Sequence, residues 1–353
     1  MAASSSAANL STLADPDPSL VRHARRAGLR YVHADEPGLS RKGAGTGFAY
    51  YLPDGSLLRD KATRARIDAL AIPPAYSDVW ICVDPRGHIQ ATGRDDKGRK
   101  QYRYHADWQS TRSEAKFDRI AEFGRALPVL RKRITRDLEI DSLSRTHVLA
   151  VVATLLDRTL IRVGGAEYAS QNGSYGLTTL RDKHARFRDG GVVFAFRGKS
   201  GQEHEVAVED EALAEHVRAC RDVPGYHLFQ YVDESGERGQ LDSSDLNEYL
   251  RDAMGEAFTA KTFRTWGGTL AAAVAAHDSA EIEPTAIQKE MVGAACAALG
   301  NTEAVCRDYY IHPALFESVA DGTFVGRWGS ARSVGTLGGL TRDESALIRF
   351  LEG

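Results

Sequence analysis

The sequence has no long apolar run and no recognisable targeting segment. No stretch approaches the roughly 20 apolar residues that a membrane-spanning helix needs. Residues 1–20 also lack the basic and apolar regions of a signal peptide. We therefore expect a cytoplasmic protein without membrane association.

Metal-binding motifs are also missing. The four cysteines form no C-x-x-C pair, and the 11 histidines include no H-x-x-x-H or H-E-x-x-H spacing. Free cysteine in an apolar context behaves as a small hydrophobic residue. We expect reduced thiols, no zinc and no histidine metal site. The cysteines are Cys82, Cys220, Cys296 and Cys306.

The charge of the chain is close to balanced in total but not along its length. The net charge is -3. Residues 22–199 contain 33 Lys and Arg against 20 Asp and Glu, a net of +13, whereas residues 200–353 contain 12 against 26, a net of -14. A long basic stretch is typical of a protein that binds the phosphate backbone of nucleic acid, although solvated helix faces would also explain it.

Composition and periodicity divide the chain into three parts. Residues 1–20 are rich in Ala, Ser, Asp and Pro, which predicts a flexible tail. Residues 21–105 contain short β-prone segments separated by Pro53-Asp54-Gly55 and Pro85-Arg86-Gly87, which indicates a small antiparallel β domain with a short helix near 59–70. The predicted strands lie near 48–52, 79–83 and 88–92.

Residues 106–353 form the third part, in which helical periodicity dominates. After a polar connector near 106–113, the pattern predicts several helices, including a strongly apolar one from about Ser144 to Ile161. Three short strands interrupt the helices, and a Gly-Lys-Ser-Gly turn places Lys199 at a hairpin tip. The fold class is therefore α+β, with a small antiparallel β amino-terminal lobe and a larger, mainly helical domain that contains a three-stranded β hairpin unit. The other predicted elements are strands near 187–189, 191–196 and 204–208, and helices near 243–254, 260–276 and 284–299.

Four residues could carry chemistry, although each has an ordinary structural explanation when taken alone. Arg162 follows the apolar helix, where a cation suits the helix C-terminus. Lys199 is a common turn residue, and the strand that follows its Gly-Lys-Ser excludes a P-loop ATPase, which needs a helix there. Arg264 lies on a predicted helix, where surface cations are frequent. Tyr310 is next to Tyr309, and tyrosine pairs often pack in cores.

The order of these residues is more informative than any one of them. The chain has an arginine after a helix, a lysine on a β-hairpin, an arginine on a later helix and a late tyrosine. With the motifs around them, the chain resembles the bacterial and poxvirus-like type IB topoisomerases and, more distantly, the tyrosine recombinases. The resemblance covers nearly the whole chain. Its motifs are Asp95-Asp96-Lys97-Gly98-Arg99-Lys100-Gln101-Tyr102-Arg103-Tyr104, Ile161-Arg162-Val163-Gly164, Gly176-Leu177-Thr178-Thr179-Leu180-Arg181-Asp182-Lys183-His184, Lys261-Thr262-Phe263-Arg264-Thr265 and Tyr310-Ile311-His312-Pro313.

The resemblance implies a chemistry for the third part of the chain. Tyr310 would attack a DNA phosphodiester and form a 3′-phosphotyrosyl link, which the reverse reaction reseals. Arg162 and Arg264 would stabilise charge on the non-bridging oxygens, and Lys199 would protonate the departing 5′-oxygen. The family commonly has histidine nine residues before the tyrosine, where this chain has Asn301, whose amide can donate one hydrogen bond.

Chemistry alone leaves Tyr309 open as the nucleophile. The Ile311-His312-Pro313 that follows, and the spacing to Asn301, favour Tyr310 within the family pattern. The site therefore has one preferred nucleophile and one alternative.

The resemblance also implies a DNA-contacting segment in the amino-terminal lobe, which would clamp the duplex together with the catalytic domain. Cations in this segment suit phosphates, while Gln101 and Tyr102 can reach base edges. The implied enzyme is a monomer that acts on double-stranded DNA in the cytoplasm, associated with the nucleoid, without ATP or another nucleotide, metal or cofactor. The predicted contact residues are Lys97, Arg99, Lys100, Gln101, Tyr102, Arg103 and Tyr104.

Two other functions stay open at this point. A tyrosine recombinase or integrase shares the Arg, Lys, Arg and Tyr roles. The β lobe counts against it, as does Lys261, because recombinases usually have histidine there. A DNA-binding module that has lost catalysis would keep only the basic surface. Relaxation of plasmid DNA without a recombination site would distinguish all three.

Overall fold

The chain divides into two compact units, Met1–Lys116 and Phe117–Gly353. The computed structural model describes residues 18–255, 258–279 and 283–353. Of the predicted flexible tail, residues 1–17 lie outside the described residues, and the last three residues belong to the first helix, which begins at Pro18. Within the described ranges, no helix is both long and apolar enough to cross a membrane.

A five-stranded antiparallel sheet forms the centre of the amino-terminal unit. Its strands are β1 (Leu39–Ala44), β2 (Gly47–Tyr51), β3 (Ser77–Ile81), β4 (Ile89–Arg94) and β5 (Lys100–Tyr104). They lie in the order β2-β1-β3-β4-β5, so β5 is an edge strand. Leu39, Tyr50, Val79 and Ile81 pack into one core. The sequence patterns predicted β2, β3 and β4 but not β1, because Leu39 is the only fully buried residue of β1 and the strand shows no apolar alternation.

Three helices accompany this sheet: α1 (Pro18–Arg26), α2 (Lys61–Ala69) and α3 (Ala106–Phe117). The predicted short helix is α2, and the Asp60 side chain caps it by accepting a hydrogen bond from the backbone N–H of Thr63 at 2.7 Å. The predicted polar connector at 106–113 is wrong, because those residues belong to α3. Trp108 anchors α3 against Ala24, and a single large apolar residue near the start of a helix produces no visible periodicity.

The carboxy-terminal unit is mainly helical, as the sequence predicted. Helix α5 lies at its centre, and residues 148–153 are almost completely buried, which explains why that helix is apolar on every face. Ser144 caps the start of α5, and Leu160 ends it in a left-handed conformation, with φ of 55°. The helices are α4 (Ile120–Leu138), α5 (Arg145–Thr159), α6 (Ala166–Asn172), α7 (Glu211–Asp222), α8 (Ser243–Met254), α9 (Ala260–Asp278), α10 (Pro284–Leu299), α11 (Glu303–Tyr309), α12 (Pro313–Ala320), α13 (Phe324–Ser333) and α14 (Arg342–Glu352).

The predicted three-stranded hairpin unit is present. Its strands, β6 (Ala185–Arg188), β7 (Gly191–Arg197) and β8 (Glu203–Val208), lie in that order and are antiparallel. The turn between β7 and β8 spans Lys199–Gly201, with φ of 63° at Ser200 and 77° at Gly201. Glycine adopts a positive φ readily, which suits Gly201, whereas Ser200 is a non-glycine residue in the left-handed region. A short pair, β9 (Gln230–Val232) and β10 (Arg238–Gln240), completes the strands of the described residues.

Candidate active site

Arg264 connects the ends of two helices. It lies on α9 with 5% of its surface exposed, so it is not the surface cation that its sequence context also allowed. Its Nη1 donates a hydrogen bond to the carbonyl oxygen of Leu160, and its Nη2 donates one to that of Leu299 at 2.8 Å. Leu160 and Leu299 are at the C-terminal ends of α5 and α10, where helices leave carbonyl groups unpaired. Arg264 therefore holds both helix ends in place.

Arg162 and Asn301 each follow one of these helix ends by two residues, and they contact one another. Arg162 donates a hydrogen bond from Nη2 to Oδ1 of Asn301. Because a guanidinium has no acceptor, this contact fixes the orientation of the Asn301 amide and leaves its Nδ2 as a donor. That nitrogen is buried and has no hydrogen-bond partner within the part of the chain that the structure describes.

Tyr310 lies in the turn between α11 and α12. The centre of its ring is 5.5 Å from Cζ of Arg264. The backbone N–H of His312 donates a hydrogen bond to the Thr269 hydroxyl oxygen at 3.2 Å, which ties the turn to α9. Tyr309 is 47% exposed at the end of α11. Of the two tyrosines, Tyr310 is therefore the one that lies against the arginines.

A pair of glycines on α9, Gly267 and Gly268, allows Leu160 and the Tyr310 backbone to lie close to this helix. The sequence analysis did not identify this pair. A Cβ on Gly267 would lie 2.2 Å from Cδ1 of Leu160, and one on Gly268 would lie 2.8 Å from the carbonyl oxygen of Tyr310. Glycine inside a helix costs about 0.5–1 kcal/mol relative to alanine. Two adjacent helical glycines are a sequence signal of close packing that could have indicated these contacts.

Lys199 lies on the β7–β8 turn with an exposed side chain. It lines one cavity together with Arg162, Arg264 and His204. Asn301 and Tyr310 join this group through their contacts with the two arginines. The structure thus brings together the five residues that the sequence singled out. His204 is an addition that no sequence motif indicated.

The electrostatics of the site favour an anion. Burial, and then the neighbouring Arg162, lower the pKa of Arg264 to about 10, which leaves it positively charged at neutral pH. Burial also lowers the pKa of Arg162. The Nε of Arg264 is buried without a hydrogen-bond partner among the described residues, as is Nδ2 of Asn301. Two fixed cations and two buried donors are therefore available to oxygen atoms of a ligand.

Side-chain hydrogen bonds to Asp95 stabilise the predicted DNA-contacting segment. The Asp95 carboxylate accepts hydrogen bonds at 2.8 Å from Nε of Arg99 and from Nε2 of Gln101. Lys100 and Tyr102 are exposed on the edge strand β5, and the Lys100 Nζ lies 5.6 Å from the centre of the Tyr102 ring. A cation beside an exposed aromatic ring suits contact with phosphate and base or sugar. The nucleic-acid role of this segment remains a prediction.

Across the described residues, no cluster of three or more His, Cys, Asp or Glu side chains is arranged to hold a metal ion. All four cysteines are free thiols, and burial is the main cause that raises the pKa of Cys306 to about 12. Burial likewise raises the pKa of Cys82 and Cys220, so these three thiols are protonated at neutral pH.

A tyrosine beside fixed cations and buried donors is the arrangement of a phosphoryl-transfer site. Comparison with known families agrees with this class. A model described as the catalytic core of eukaryotic DNA topoisomerase I matches residues 105–306, more than half of the chain. A second model, the N-terminal domain of bacterial DNA topoisomerase IB, matches residues 47–95. The first match includes Arg162, Lys199, Arg264 and Asn301 but ends before Tyr310.

Viral relatives give the same result. DNA topoisomerase 1B of Acanthamoeba polyphaga mimivirus is 35% identical over 237 residues, which cover 66% of this chain and 70% of the relative. DNA topoisomerase 1B of Vaccinia virus (strain Western Reserve) and DNA topoisomerase I of Monkeypox virus are each 34% identical over 119 residues, 33% of this chain and 37% of each relative. The chain belongs to the type IB DNA topoisomerase family.

Asn301 should contribute through its free Nδ2 donor. Asn301→Ala should slow single-turnover DNA cleavage by about 10- to 1000-fold, the scale of losing one transition-state donor. Asn301→His should retain much of the activity, because an imidazole N–H can also donate, and a pH dependence near about 6.5 should then appear.

Asn301→Asp is the matched control, because it keeps an oxygen for Arg162 but removes the donor. It should cleave at least as slowly as Asn301→Ala. If Asn301→Ala cleaved as fast as the parent, Asn301 would serve only to end α10 and would have no role in the chemistry.

Proposed function

We propose that this protein relaxes supercoiled duplex DNA by nicking one strand, letting it rotate and resealing it. The observation that carries the proposal is the Tyr310 ring beside the Arg264 guanidinium, next to the Arg162–Asn301 pair. A nucleophile among fixed donors is what phosphoryl transfer requires. Membership of the family supports DNA as the source of the phosphodiester.

The cleavage step can be written from these residues. The Tyr310 hydroxyl attacks phosphorus in line with the bond to the 5′-oxygen. A new Oη–P bond forms, the P–O5′ bond breaks, and the bonding electron pair leaves with the 5′-oxygen. Lys199 supplies a proton to that oxygen, and the tyrosine proton passes to solvent. The products are a 3′-phosphotyrosyl link and a 5′-hydroxyl, and the reverse steps reseal the strand without ATP.

The two buried donors without partners support the binding of phosphate in this site. A buried donor that lacks an acceptor costs about 1–3 kcal/mol. A phosphodiester whose non-bridging oxygens accept from Arg264 Nε and Asn301 Nδ2 would remove that cost. As charge builds up on those oxygens in the transition state, the same hydrogen bonds become stronger.

The proposal includes a monomer that needs no metal, nucleotide or other cofactor. One chain carries all five residues of the site, so no residue from a second copy is required for the chemistry. Double-stranded DNA of the nucleoid, in the cytoplasm, is the proposed substrate. The exposed cations and aromatic ring on β5 are the proposed additional contact with the duplex.

Relaxation of negatively and positively supercoiled plasmid should proceed with multiple turnovers in EDTA and without ATP. The reason is that arginine, lysine and tyrosine side chains supply the charge, the proton and the nucleophile. Resolving topoisomers by agarose gel electrophoresis measures the reaction, with parallel samples that contain Mg²⁺ and ATP.

A strict requirement for Mg²⁺ or ATP would contradict this mechanism. DNA binding without nicking or relaxation under any of these conditions would instead identify a binding module that has lost catalysis. Strand exchange confined to a specific recombination site would identify a recombinase.

A further inference from the structure

His204 lies on β8, three residues after the turn that carries Lys199. Side chains along β8 alternate in exposure, and His204 is on the less exposed side with Val206 and Val208. Its ring stacks on Phe196 of β7, with ring centres 5.2 Å apart and planes inclined by 18°. The imidazole is therefore held at the base of the hairpin turn.

The imidazole is also in close contact with two glycines. A Cβ on Gly198 would lie 2.5 Å from Cδ2 of His204, and one on Gly300 would lie 2.4 Å from Cε1. These distances leave no room for a side chain at either position. Gly198 directly precedes Lys199, and Gly300 directly precedes Asn301. The ring thus fills the space between the two backbone segments that carry these residues.

The charged groups that act on His204 are Arg162, Arg264 and Glu203, while Lys199 lines the same cavity. Burial and then the two arginines lower the pKa of His204 from its usual 6.5. The ring is therefore uncharged at neutral pH. An uncharged ring between two backbones acts mainly through its volume and packing.

We propose that His204 is a positioning residue that holds the Lys199 turn at a fixed distance from the loop carrying Asn301. This inference rests on the proposed function, because it assigns His204 to the protonation of the departing 5′-oxygen by Lys199. The stack on Phe196 sets the ring, and the contacts with Gly198 and Gly300 transmit its position to the two neighbouring residues.

Removing the ring should displace Lys199 and slow the step that Lys199 assists. His204→Ala should reduce single-turnover cleavage by about 10- to 100-fold, since a misplacement of about 1 Å can cost on the order of 10²-fold. DNA affinity should be unchanged. A substrate with sulfur at the 5′-bridging position, which leaves without a proton, should restore most of the rate.

Two variants separate positioning from folding and from proton transfer. His204→Phe keeps an aromatic ring that can stack on Phe196 but cannot titrate, so it should cleave nearly as fast as the parent with an unchanged pH profile. Arg186→Ala is the matched control, because Arg186 is exposed on β6 of the same sheet. It should cleave at the parental rate.

Gly198 provides a second, independent test. Its φ of -96° suits alanine, so Gly198→Ala should disturb mainly the contact with His204. Gly198→Ala alone should slow cleavage, with rescue by the sulfur substrate. In the His204→Ala background the same substitution should add little, because the ring that it would strike is absent.

Several results would overturn the inference while leaving the proposed function intact. One is parental cleavage by His204→Ala when Lys199→Ala is slow. Another is a His204→Ala defect that the sulfur substrate does not restore. A third is a His204→Phe variant that folds, as judged by thermal unfolding, but is as slow as His204→Ala. If the parent itself fails to cleave DNA, it is the proposed function that fails.

Discussion

Substitution of Tyr310 by phenylalanine should abolish the covalent protein–DNA adduct and leave DNA binding unchanged. The ring can still pack beside Arg264, and the Tyr310 carbonyl and Cβ keep their approach to Gly268, so the site keeps its shape. Only the hydroxyl that attacks phosphorus is lost, and covalent catalysis cannot proceed without its nucleophile. Denaturing gel electrophoresis of the protein with a nicked substrate that traps the adduct measures the outcome, alongside a filter-binding assay for affinity.

Tyr309→Phe is the natural control for this variant. Tyr309 is 47% exposed, whereas Tyr310 lies beside Arg264, so Tyr309→Phe should form the adduct at the parental rate. Adduct formation by Tyr310→Phe, together with its loss in Tyr309→Phe, would move the nucleophile by one residue and would require the turn after α11 to rearrange on DNA.

Much of the fold was predictable because burial leaves a periodic pattern. Helix α5 is buried on every face, so its sequence is apolar throughout, and the strands of the hairpin unit are bounded by glycine-containing turns. Strand β1 and helix α3 were missed for the opposite reason. Leu39 is the only fully buried residue of β1, and Trp108 is the large apolar residue that anchors α3, so neither element shows an apolar periodicity.

The identity of the site residues was predictable from motif order, but their arrangement was not. Nothing in a sequence shows that Arg264 binds the carbonyl oxygens of Leu160 and Leu299, because those residues meet only in the folded unit. The arginine therefore has a structural role as well as the predicted one. A substitution of Arg264 would therefore disturb the C-terminal ends of α5 and α10. It would also remove the positive charge that is predicted to stabilise the phosphate.

His204 shows a further limit of sequence reasoning. A single histidine on a strand has no motif of its own, and its alternation with Val206 and Val208 is typical of an ordinary core position. The close approach of its ring to Gly198 and Gly300 becomes visible only when α10 and the hairpin are packed together. Residues that position a catalytic group without a motif of their own are found by asking what packs against the recognised motifs in the folded chain.

Lys199→Ala should slow DNA cleavage by about 10²- to 10⁴-fold, the range typical of general acid catalysis. The expected cause is a 5′-oxygen that must leave as an unprotonated alkoxide. A substrate with sulfur at the 5′-bridging position should be cleaved by Lys199→Ala at nearly the parental rate, because a thiolate leaves without a proton. Single-turnover cleavage of both substrates by both proteins measures the difference.

Lys199→Arg distinguishes the role of Lys199 as a proton donor from its role as a positive charge. Arginine keeps the positive charge on the turn but does not give up a proton in proteins, so this variant should be slow with the oxygen substrate and fast with the sulfur substrate. The exposed position of Lys199 leaves room for the larger guanidinium. If the Lys199→Ala defect persisted with sulfur while Lys199→Arg cleaved both substrates well, the lysine would act through its charge on the phosphate. The negative charge on the phosphate oxygens must be stabilised with either leaving group, so in that case both substrates would need the positive charge of the lysine.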